Sequence, residues 1–118
     1  MNGCNCCNTR KDSIPRAETM ALAELVQVSE SSVVSRTIMK NNAGTVTLFA
    51  FDSGEGLSEH MAPFDAMVTA LEGSATVTIS GKPLELVTGN AVIMPANEPH
   101  AIKALTPFKM MLVMIRQV

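Results

Sequence analysis

Ala75-Thr76-Val77-Thr78-Ile79, then Ser80-Gly81-Lys82-Pro83, then Leu84-Glu85-Leu86-Val87: the reading of this run decides the fold. Alternation in the first five residues is strict, so Ala75, Val77 and Ile79 share one face of a strand while Thr76 and Thr78 share the other. One apolar face and one hydroxyl face describe a half-buried antiparallel strand. Ser80 to Pro83 is turn chemistry, and 84–87 returns as a second, shorter strand. Outward from this pair the same grammar repeats. Runs rich in Val, Ile, Thr and Phe at 33–39, 45–52, 66–71, 91–94 and 108–115 are separated by turn signals at 41–44 and 72–73. No segment after residue 33 reads as a long helix, and an all-β sandwich or barrel of six to eight strands follows. Segment 17–28 stays open between a short helical turn over 21–25 and an edge strand carrying Val26 and Val28.

The chain has 118 residues, 47% of them hydrophobic and 17% charged, which supplies one core and places it outside the disordered class. A formal charge of −2 offers phosphate backbones no attraction, and the absence of Trp and Tyr removes the usual stacking groups, so nucleic acid is not the expected partner. The longest apolar run, 110–115, is far short of the about 20 residues that span a bilayer, and residues 1–8 contain no apolar signal core. No membrane association and a cytoplasmic location are therefore expected.

Residues 1–17 are polar and aperiodic and read as a leader, with 18–118 as the single barrel domain. Cys4, Cys6 and Cys7 all fall in that leader, so none ties one part of the body to another, and a thiolate metal site there lacks a second ligand pair. The final strand is apolar on both faces. Its outer side requires a cover, either the N-terminal segment or a second copy of the chain, and a homodimer is the expected assembly.

Two stretches remain. The first runs Gly54-Glu55-Gly56-Leu57-Ser58-Glu59-His60-Met61-Ala62-Pro63-Phe64-Asp65-Ala66 and onward to Gly73; the second runs Gly89-Asn90-Ala91-Val92-Ile93-Met94-Pro95-Ala96-Asn97-Glu98-Pro99-His100. Together they resemble the two motifs of the cupin superfamily, with Gly54, His60, Gly73, Gly89, Pro95 and His100 in register. The resemblance covers residues 33–116 and implies a double-stranded β-helix, the jelly-roll-like cupin barrel. In members that hold a metal, three His and one Glu converge inside that barrel. Here Ala62 stands where the second His belongs, Ala66 or Met67 where the Glu belongs, Asn97 where the second motif has Gly, and Ala104 where an Asn often follows.

What the resemblance implies is a pocket with a depleted metal set. His60 and His100 are the only histidines in the chain, and as neutral imidazoles they hold a divalent ion such as Zn, Ni, Fe or Cu weakly unless another donor joins. Asp65 is one step out of register and faces away. Ala62, Ala66 and Met94 are expected to line the pocket beside the two histidines and to leave it roomier and more apolar. The nine methionines could border such a cavity, although ordinary core filling accounts for most of them. Three functions compete: a module that binds a small molecule, a metal-dependent isomerase, lyase or dioxygenase, and a dimeric scaffold. With no carboxylate at the ligand register, binding is placed first.

Overall fold

The computed structural model describes residues 14–116, so Cys4, Cys6 and Cys7 lie outside the described residues. Nine strands form, one more than the upper bound expected: β1 (Val33–Asn41), β2 (Gly44–Phe51), β3 (Gly56–His60), β4 (Asp65–Glu72), β5 (Ser74–Ile79), β6 (Lys82–Val87), β7 (Ala91–Met94), β8 (His100–Ala104) and β9 (Phe108–Ile115). They build a five-stranded sheet in the order β1-β2-β9-β4-β7 and a four-stranded sheet in the order β3-β8-β5-β6. Every pairing is antiparallel. The two sheets face each other as a double-stranded β-helix.

Side-chain alternation sorts residues to the core as expected in β5, where Ala75 and Val77 are fully buried and Ile79 packs against the same cluster. Pro83 is tolerated because β6 is the outermost strand of its sheet. Strand β3 departs from the alternation rule, whereas β8 keeps it, with His100, Ile102 and Ala104 buried. Leu57 lies opposite Ile102 and His60 opposite His100, so three steps on β3 match two on β8. The extra residue is a β-bulge, which restores to the interior a side chain that strict alternation would turn out.

The core has two ends. At one, Phe51 and Phe108 are directly opposite each other with ring centroids 5.7 Å apart, and Ala70, Ala75, Ala104 and Met110 fill the space around them. Gly73, with φ of +81°, carries the chain between sheets there; a Cβ would stand 2.1 Å from the Pro107 carbonyl oxygen, so only glycine fits. At the other end the inner row holds His60, His100, Ala66, Met94 and Met114.

Outside the five-stranded sheet, segment 17–28 resolves as a 3-10 turn, Leu22–Leu25, with no strand after it. It serves as a strap. Val26, Leu22, Leu25 and Val28 pack on Leu48, Ala50, Leu71 and Met111, and two cations hold the turn's carbonyls: Lys109 Nζ donates to Ala23 O at 2.6 Å and Arg36 to Leu25 O at 3.0 Å. Lys109 is only 8% exposed, and Glu72 lies 3.7 Å from its ammonium. The outer side of β9 is thus covered by this chain's own segment around Met111. Beyond the strap, a row of directly paired residues, Met39, Val46, Val113, Met67 and Ile93, crosses all five strands without a charged side chain. Met39 and Ile93 are 60% and 63% exposed. No helix among the described residues is long and apolar enough to cross a membrane.

Candidate functional site

The bulge in β3 and the start of β8 bring the two histidines together. Their Nε2 atoms are 3.2 Å apart, with ring centroids at 4.4 Å and planes at 71°. His60 Nδ1 lies 2.8 Å from the Ser58 carbonyl oxygen and His100 Nδ1 lies 3.2 Å from that of Glu98. A carbonyl oxygen only accepts, so in the neutral rings both Nδ1 atoms carry the proton and both Nε2 atoms present lone pairs. Two unprotonated nitrogens therefore stand 3.2 Å apart. Their contact is unfavourable until a proton or a cation is shared between them.

The environment selects against the proton. His100 is 6% exposed, and burial pushes its pKa below the ordinary value of 6.5; the neighbouring His60 acts in the same direction, and the Glu98 carbonyl opposes both. His60 is exposed at the end of β3. One ring thus opens to solvent and the other closes the floor of the site.

His60, His100, Ala62, Ala66 and Met94, the residues singled out from sequence, all border one cavity together with Phe64 and Met114. Ala62 arrives there from outside a strand, because β3 ends at His60 and Ala62 lies in the link to β4. Asn97 N donates to Ala62 O at 2.8 Å and holds that link in place. Asn97 has φ of +64°, the left-handed conformation for which the family motif uses Gly and which Asn tolerates. Asp65 faces elsewhere, its Oδ1 accepting from the backbone N of Ala96 at 2.9 Å.

The cavity is apolar, as expected, but it is not roomy. Its volume is about 40 Å³, close to the roughly 30 Å³ one water occupies in the liquid. The space vacated by small side chains at 62 and 66 is taken up by Phe64, Met94, Met114 and their neighbours. Larger hollows, such as one of about 500 Å³ along Ser58, Thr76 and Lys103, lie on the outer surface and contain no histidine. Phe64 was not among the expected site residues, and Met114 stood only among the nine methionines that could border the cavity, because β9 is apolar on both faces and its alternation gives no signal.

No group of three or more His, Cys, Asp or Glu side chains placed to hold a metal occurs among the described residues. The pair alone still fits a cation. Two nitrogens on a tetrahedral ion with bonds of about 2.0–2.1 Å lie roughly 3.3 Å apart, which matches the observed separation of 3.2 Å.

Comparison with known proteins agrees with this fold. The family model described as the cupin domain matches residues 47–116. A conserved protein of unknown function from Streptococcus pyogenes is 33% identical, with 90% of this chain and 93% of that one covered and a TM-score of 0.85. A cupin superfamily protein from Desulfitobacterium hafniense is 28% identical over 89% of this chain and 96% of that one, with a TM-score of 0.84. A Cupin 2 conserved barrel domain protein from Leptotrichia buccalis is 38% identical over 80% of this chain but only 46% of its own, with a TM-score of 0.77. No match is found among curated proteins.

Proposed function

Since the chain belongs to the cupin family, whose barrel it forms with a depleted ligand set, we propose that it is a binding module in which His60 and His100 hold one transition-metal ion and the apolar cavity beside them takes a small molecule. The observation that carries this reading is the close approach of the two Nε2 atoms, 3.2 Å apart, with both Nδ1 protons committed to backbone carbonyls. Backbone acceptors fix the rings from behind, so the donors are oriented before any ligand arrives. A bound ion would supply an electrophilic centre able to polarise a ligand oxygen.

The residues present favour binding over turnover. Proton transfer needs a group of matched pKa within reach of substrate, and the side chains bordering the cavity other than the two histidines are hydrocarbon or thioether. The ligand is correspondingly small, or it gains room by rotating the methionines, whose unbranched side chains adapt at low cost. Metal analysis of untagged protein tests the reading. Near-stoichiometric Fe, Ni, Cu or Zn, lost in His60→Ala and in His100→Ala, is the expected result. Protein whose metal content is unaffected by either substitution would overturn it.

A further inference from the structure

Ala66, at the position where the family's carboxylate belongs, stands directly opposite Met94 on one neighbouring strand and directly opposite Met114 on the other. All three side chains border the cavity, as does Met110. The loss of the carboxylate has therefore not left a bare wall. It has left a position flanked on both sides by thioether sulfur, in a space that also receives two imidazole lone pairs.

Every remaining side chain around the cavity is hydrocarbon, so the complete donor set is two neutral nitrogens and neutral sulfurs. Such a set discriminates between ions in two ways. The cost of moving an ion out of water scales with the square of its charge, so a dication pays about four times the penalty of a monocation of equal radius. No carboxylate is present to offset the difference. Thioethers are also soft donors, which favour Cu(I) over the harder ions that carboxylates and water suit. Met94 is 3% exposed and Met110 fully buried, while Met114 is half-buried, so the β7 side of the site is the drier.

We propose that the cavity is a copper(I) site, with Nε2 of His60 and of His100 and a thioether sulfur of the Met94–Met114 pair as its ligands. This rests on the two-histidine reading above and names the ion and the third donor. Exchanging His and Glu for Ala, beside methionines, has turned a site for hard or borderline dications into one for a soft monocation.

The test uses the full chain carrying Cys4→Ser, Cys6→Ser and Cys7→Ser, because thiolates elsewhere in the chain would compete for Cu(I). Anaerobic titration against the chromophoric chelator bathocuproine disulfonate should show about one Cu(I) withheld per chain, with Zn2+ bound roughly a hundredfold more weakly or less. X-ray absorption at the copper edge should show sulfur as well as nitrogen neighbours, a readout that needs no further variant. Met94→Leu with Met114→Leu keeps the volume and should keep the melting temperature while weakening Cu(I) by about tenfold or more. Ala62→His with Ala66→Glu should reverse the preference toward Zn2+. Zn2+ bound as tightly as Cu(I), no sulfur at the copper, or unchanged Cu(I) affinity in the double leucine variant would each overturn the copper(I) assignment and leave the two-histidine site standing. Cu(I) affinity indifferent to His60→Ala and His100→Ala would instead overturn the proposed function, and the assignment with it.

Discussion

The two ends of the barrel share β4, β8 and β9 and differ in almost everything else. At one end β2 and β9 bring Phe51 against Phe108, alanines close the gaps, and the strap covers the outside of the sheet. At the other, Ala66 of β4 and Met114 of β9 meet Met94 of β7, two imidazoles lie 3.2 Å apart, and the outer row from Met39 to Ile93 is uncovered. The packed end carries apolar burial and close contacts, which stabilise the fold. The histidine end carries two closely placed imidazoles, adaptable side chains and a small void, features that add little to stability and that the proposed function assigns to a ligand. On that proposal, folding and binding are divided along the strand axis.

The contrast breaks most visibly at Phe108. Phe108→Ala empties a fully buried site and should cost about 3–5 kcal/mol, a large part of the roughly 5–15 kcal/mol available to a domain. His60→Ala, at an exposed ring, should stay within about 0.5 kcal/mol. Urea denaturation of both variants, with metal binding measured on the folded fraction, should show stability lost in the first with affinity kept, and the reverse in the second. Equal stability losses would mean that the two ends are not separable.

That division was only partly legible in the sequence. The β5–β6 hairpin could be read directly, because alternation in Ala75 to Ile79 depends on local chemistry alone. The two strands that carry the histidines could not. β3 contains a bulge that breaks its period, and β8 is five residues with a lysine among alanines. The pairing of His60 with His100 was visible only through motif spacing. Asn97 looked like a departure from that motif, yet it supplies the same left-handed backbone. The methionines read as core filler, yet Met20, Met39, Met61 and Met67 are exposed. What distinguishes Met94 and Met114 is register against Ala66, a property of three strands together that no single stretch of chain contains.

The uncovered outer row sharpens the comparison from outside. The strap protects the packed end, while the paired residues Met39, Val46, Val113, Met67 and Ile93 at the histidine end, with a groove of about 330 Å³ beside them, stay open. A second copy of this chain is the expected cover for that row: the row has no charge to desolvate, and two-fold pairing would set an identical apolar row against it. Light scattering at micromolar concentration should give twice the chain mass, falling to one chain in Met67→Lys with Ile93→Lys at unchanged circular dichroism. A wild-type monomer under those conditions would leave the row without its partner.

The smallest expected effect lies in the metal-free protein and turns on His100. Its folded pKa is lowered from 6.5, chiefly by desolvation and further by His60, so the folded state resists a proton that the unfolded chain accepts. Above that ordinary value both states are neutral and the stability contributed by this group is fully present. As pH falls below it the unfolded chain binds the proton first, and stability declines. Once pH passes below the folded value both states are charged and the loss levels off. Carboxylates also titrate in mildly acidic solution, so the effect is isolated as a difference between wild type and His100→Gln. Urea midpoints measured from pH 7.5 down to pH 5.5 should fall further for wild type than for the variant. Identical slopes would show that burial does not lower the His100 pKa in the folded protein.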